Sequence, residues 1–152
     1  MYFLPLSFLK KLFKAINIKE SNFPFEILIH DDASTDGTQE IIEEYVAKYP
    51  DLIFPIYQVE NQYSKGVSGM MARFNFPRAR GKYIALCEGD DYWTDPLKLQ
   101  KQLDFLESNS DCAGCFHNTE IIDLDDEKKG NLLRHVSTSK LNQHHLIKDP
   151  TI

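Results

Sequence analysis

The chain has 152 residues, 42% of them hydrophobic and 26% charged, which suits one globular domain and excludes collagen, wholesale disorder and a low-complexity scaffold. Seventeen basic against 23 acidic residues leave a formal charge of −6, so nucleic acid is not an expected partner. Three cysteines, Cys87, Cys112 and Cys115, are too few for the disulfide framework of a small secreted domain and favour a reducing, cytoplasmic setting.

The N-terminal stretch Met1 to Leu9 is apolar until Lys10 and Lys11. That is about half of the roughly 20 residues a membrane span needs, and the lysines follow the apolar stretch where a signal peptide would place them before it. Phe8, Leu9, Leu12, Phe13 and Ile16 recur near helical spacing. The spacing predicts an amphipathic helix from Pro5 to about Ile18, facing a core or, in the alternative, a membrane surface. Ser21 to Pro24 breaks it.

Phe25 to Ile29 is a short apolar run leading into Asp31 and Asp32, the pattern of a buried strand that delivers polar groups at its carboxyl end. Asp36, with Gln39 three residues on, predicts a capping box, and Ile41, Ile42, Tyr45, Val46 and Tyr49 form a helical stripe that Pro50 stops. Leu52 to Val59 reads as the next strand. Gly66 to about Ala79 reads as a loop entering a helix that bears Met and Phe. Tyr83 to Cys87 reads as a second buried strand, again ending in acids: Glu88, Asp90 and Asp91. Asp95 and Pro96 predict the start of a helix lined by Leu99, Leu103 and Leu106 to about Ser108. Cys112 to Ile122 reads as a strand, Asp123 to Gly130 as a polar connection, and Ser139 to Lys148 as a last short helix. Strand and helix alternate, so the class is α/β with a mainly parallel sheet flanked by helices.

Two apolar runs that end in acid pairs, Asp31-Asp32 and Asp90-Asp91, would bring carboxylates to one crevice at the carboxyl ends of neighbouring strands. Carboxylates gathered without cations repel one another, and an oxygen-only ligand set favours Mg²⁺ or Mn²⁺, which keeps part of its shell for substrate phosphates. Other readings of the same residues stand beside this one. The acids can simply start a turn and cap a helix. Asp32, Ser34, Asp36, Gly37 and Glu43 nearly meet the EF-hand spacing, although a strand precedes them where that motif needs a helix. A receiver-type domain would be phosphorylated on Asp31, Asp32 or Asp90. Cys112, Cys115 and His117, joined by His144 or His145, would make a zinc site that lacks its second cysteine pair.

The blocks Glu26-Ile-Leu-Ile-His-Asp-Asp-Ala-Ser-Thr-Asp-Gly-Thr38 and Ala79-Arg-Gly-Lys-Tyr-Ile-Ala-Leu-Cys-Glu-Gly-Asp-Asp-Tyr-Trp93, with Asp95-Pro-Leu-Lys-Leu99 behind them, resemble the inverting family 2 glycosyltransferases of the GT-A fold. The resemblance implies a Rossmann-like domain over the whole chain that transfers a sugar from a nucleoside diphosphate sugar to an acceptor hydroxyl, as in polysaccharide biosynthesis. It implies that Asp31 and Asp32 contact the base and ribose with Ser34 in support. It maps Glu88-Gly89-Asp90 onto the Asp-x-Asp motif, with Asp90 as the metal-binding acid and Glu88 a longer residue in the first position. Arg73 and Asn75 fall where the family places polar contacts to the nucleotide sugar, and Trp93 where a wall of the sugar or acceptor pocket stands. The acceptor is a saccharide or a lipid-linked saccharide, and peripheral contact with the inner face of a membrane or a homo-oligomer is compatible with it. No catalytic base is assigned; Asp123, Asp125, Asp126 and Glu127 read as a solvated loop.

Family members also open with a central strand, and this chain has only Met1 to Leu4 in that place. An incomplete sheet is therefore expected, in which the runs at Phe25 to Ile29 and Tyr83 to Cys87 lack the partner between them. The rival function is an inactive donor-binding module or scaffold that needs a partner chain.

Overall fold

The computed structural model describes residues 10, 22–89, 91 and 93–117. The chain divides into two compact units, Met1–Gln100 and Lys101–Ile152. The expected N-terminal helix, Asp90 and every element after His117 lie outside the described residues.

The first unit is built on a strand–helix–strand turn. Strand β1 (Ile27–Asp31) and strand β2 (Ile53–Tyr57) pair in parallel, with Ile27 opposite Ile53 and Asp31 opposite Tyr57. Helix α1 (Thr38–Lys48) is the crossover between them. Its stripe is the one read from the sequence: Ile41 and Ile53 are buried, and Ile27, Ile29, Tyr45, Val46, Tyr49 and Leu52 pack around them. Ile42 is covered as completely as Ile53, at 1% exposure each. At its C-terminus the Tyr49 N–H donates to Tyr45 O and Val46 O before Pro50 ends the helix.

Alternation on the pleat assigns Ile27, Ile29 and Asp31 to the α1 side of the sheet and Leu28 and His30 to the other. The end bonds of the ladder, Ile27 N–H to Leu52 O and Gln58 N–H to Asp31 O, put even-numbered residues of β2 in register for pairing. Pro55, which has no N–H, therefore points its nitrogen to the outer edge, the position a strand tolerates.

Irregular helical turns follow β2: an exposed 3₁₀ turn at Tyr63–Lys65, then a π turn at Met71–Asn75, which packs on β1, and a 3₁₀ turn at Phe76–Arg78. The predicted helix there is thus broken into short pieces, and Pro77, within the first residues of the last turn, starts it afresh. Phe74 stacks on His30 with ring centroids 4.5 Å apart, and the Arg80 guanidinium lies 5.2 Å from the Phe54 ring. The open edge of β1 is occupied by a side chain. The Asn75 amide donates to Leu28 O on that edge at 3.3 Å; Arg78 holds Asn75 there, donating to its Oδ1 at 2.8 Å, and adds a second bond to Ile29 O, which faces β2, at 2.9 Å.

Three expectations are corrected. Tyr83 to Cys87 is not a strand: no ladder partner lies beside it among the described residues, and Ile84 and Leu86 are 51% and 57% exposed. A backbone without a neighbour to bond has no ladder to join, however apolar its sequence. The helix α2 (Lys98–Ser108) begins two residues later than Pro96, because the Asp95 carboxylate accepts the Leu97 N–H and Asp95 O accepts the Lys98 N–H in a turn ahead of it. Cys112 to His117 forms no strand. The Asn109 amide closes α2 by donating to Phe105 O. Among the described residues no helix is long and apolar enough to cross a membrane.

Candidate functional site

The carboxyl end of β1 carries the two aspartates, and the structure gives them different partners. Asp31, 4% exposed, faces α1; its Oδ2 accepts the Ser34 N–H at 3.2 Å and the Gln39 side-chain amide at 2.5 Å. Asp32 points the other way. Its Oδ1 accepts the Gln62 N–H at 2.8 Å and its Oδ2 the Tyr63 N–H at 2.9 Å, while its carbonyl accepts the Asn61 amide. Asp32 therefore caps the first 3₁₀ turn and ties the β1 loop to the loop after β2. The divergence is the ordinary alternation of a strand end, and Ala33, in the left-handed region at φ 59°, turns the chain immediately after it.

The capping box is corrected at the same place. Gly37, at φ 92°, is the residue before α1, and Asp36 instead accepts both the N–H and the hydroxyl of Thr38. Gln39 is thereby free to reach Asp31. The EF-hand reading fails on the element before this loop, which is strand β1 and not a helix. Tyr57 stands opposite Asp31 in the register; burial, then the charges of Glu43 and Asp31, push its phenol above the ordinary value of 10.

The Ser34 N–H joins Asp31, whereas Arg73 and Glu88 make other contacts. Arg73 is exposed and its Nε donates to Ser68 O; Glu88 is exposed and its carbonyl accepts the Asp91 N–H. Asn75 is buried at 4% exposure and committed to the edge of β1, so it makes no open sugar contact. Burial pushes the Arg78 guanidinium beside it down from its ordinary value, and the Glu26 charge opposes that shift. Trp93 lies under the Lys98 ammonium, 4.1 Å from the ring centroid.

The residues described do not form a metal centre. Both Asp32 oxygens and one Asp31 oxygen are already taken by N–H donors, and among the described residues no three of His, Cys, Asp and Glu converge. The expected convergence of carboxylates needs Asp90, and the zinc reading of Cys112, Cys115 and His117 needs His144 or His145; those residues lie outside the described ones. Sequence reasoning missed Gln39, Gln62 and Tyr63; the only local signal was the amide side chain in the first turn of a helix that follows an acidic strand end.

The profile of the family described as Glycosyl transferase family 2 matches residues 6–149. A protein of Mycobacterium tuberculosis described as uncharacterized is 47% identical over 112 residues, 72% of this chain and 31% of the relative. An uncharacterized glycosyltransferase of Nostoc sp. is 34% identical over 125 residues, 80% of this chain and 36% of the relative. The Escherichia coli UDP-Glc:alpha-D-GlcNAc-diphosphoundecaprenol beta-1,3-glucosyltransferase WfaP is 36% identical over 83 residues, 55% of this chain and 30% of the relative. The chain thus spans about a third of the length of these curated relatives. No solved structure gives a significant match. With nearly all its length matched by that profile, the chain belongs to glycosyl transferase family 2 and to the α/β, GT-A fold the family implies.

Proposed function

We propose that this chain is the donor-binding part of a glycosyltransferase that moves a sugar from a nucleoside diphosphate sugar to a saccharide or lipid-linked acceptor with inversion. The observation that carries the reading is the loop Asp31 to Ser34, in which one aspartate anchors the loop and the other keeps an oxygen without a donor at the carboxyl end of a parallel strand. Asp31 then accepts a hydrogen bond from the base or ribose, and Ser34 and Asp32 shape the loop; Arg73 and Glu88 are assigned to the nucleotide on family resemblance, not on their contacts with this loop. A divalent cation, Mg²⁺ or Mn²⁺, is assigned to Asp90 on family resemblance and would offset charge on the departing diphosphate. The name of the WfaP relative makes a uridine nucleotide the first donor to try.

The test is calorimetric titration of UDP, GDP and CDP into the full chain with and without Mn²⁺, followed by assays of donor hydrolysis and transfer. The expected result is binding of one nucleotide that Mn²⁺ strengthens. A folded chain that binds none of the three under either condition overturns the reading. A second reading, a module that turns over only with another segment beside Tyr83 to Cys87, is favoured by the exposure of Ile84 and Leu86, and binding without turnover selects it.

A further inference from the structure

We infer that Gln39 is a positioning residue for Asp31, fixing which carboxylate oxygen faces the nucleotide; the inference rests on the donor-binding reading above. A carboxylate has two equivalent oxygens, and rotation about its terminal bond exchanges them unless a donor holds one. Two donors reach Oδ2 of Asp31. The Ser34 N–H does so at 3.2 Å and the Gln39 amide at 2.5 Å, and of the two only Gln39 brings a side chain, fixed on the first turn of α1, whose donor a substitution can remove.

The other oxygen is left to a ligand. Among the described residues no donor reaches Asp31 Oδ1, and the only fully covered side-chain polar atom without a partner is Arg78 Nε. Oδ1 therefore keeps some contact with solvent although Asp31 as a whole is 4% exposed. An acceptor held in one orientation at the end of β1 suits an N–H of a nucleobase or an O–H of a ribose. Gln39 itself lies behind Asp31, on the first turn of α1, and acts through the carboxylate.

The test is a double-mutant cycle on the full chain, read as the calorimetric affinity for UDP in the presence of Mn²⁺, or for GDP or CDP if one of those is bound instead. The variants are Q39M, which keeps the length and removes the donor, D31N, and the two combined, with melting curves to establish that each is folded. We expect Q39M to weaken binding roughly tenfold in the native background and less than twofold beside D31N, because a residue that works through another loses its effect when that other is gone. If the two losses multiply, or if Q39M leaves affinity unchanged while D31N weakens it, Gln39 has no such role and the donor-binding reading stands. If D31N leaves nucleotide affinity intact, the assignment of Asp31 falls and the inference with it. Should Q39M not fold, Q39E, which keeps the shape and replaces the donor with an acceptor, provides the same comparison.

Discussion

Ile27 to Asp31 and Tyr83 to Cys87 look alike in the sequence, two five-residue runs rich in apolar side chains that lead into acidic residues, and they have different fates. The first is a strand with β2 on one edge, α1 on one face and the Asn75 side chain, held by Arg78, on its other edge. The second carries no ladder and leaves Ile84 and Leu86 half open to solvent. An apolar run therefore gives a segment the capacity to be a strand, and a neighbour that accepts its backbone bonds decides whether it becomes one.

Three measurements separate the two runs, and the largest effect is expected in the core. Ile53→Ala, at a position 1% exposed against β1 and α1, should cost about 2–4 kcal/mol in urea unfolding. Leu86→Ala in the unpaired run should stay within about 0.5 kcal/mol, and a cost equal to that at Ile53 would show that the run is packed after all. Next, Asn75→Ala strips the donor from Leu28 O and the acceptor from Arg78, and should cost about 1–3 kcal/mol; an unchanged unfolding midpoint would mean that the β1 edge needs no cover.

The smallest effect concerns the tie between the runs. The Arg80 backbone N–H, then its guanidinium, hold the Glu26 carboxyl below its ordinary 4.5, although burial pushes the other way. A depressed carboxyl stabilises the fold above that value and loses its contribution as the pH falls through the folded-state value. Acid titration of unfolding should thus show a shallow decline below pH 4.5 that Glu26→Gln removes and added salt weakens. An unaltered slope in Glu26→Gln would assign the decline to other carboxylates.

What was legible follows from range. The stripe Ile41, Ile42, Tyr45, Val46 and the strand at β1 were plain because helical and extended periods are written in adjacent residues. The acid pair was plain for the same reason. The partners of that pair were not: Asp32 finds Gln62 and Tyr63 about 30 residues on, and Asp31 finds Gln39 only because Gly37 shifts the start of α1 by one residue. Asn75 shows the limit from the other side, since its position between the family blocks suggested a sugar contact whereas its surroundings bury it on a strand edge. Local pattern carries element type, and the direction of a long polar side chain is settled by what else the fold brings near.

The left-handed turn at Ala33 has a consequence for how this segment tolerates change. Because Asp31 looks toward the helix and Asp32 toward the loop after β2, inserting or deleting one residue before the turn would exchange their duties and set the loop anchor where the open oxygen should be. A point substitution here changes one carboxylate's partners, whereas a one-residue shift moves both to the opposite faces at once.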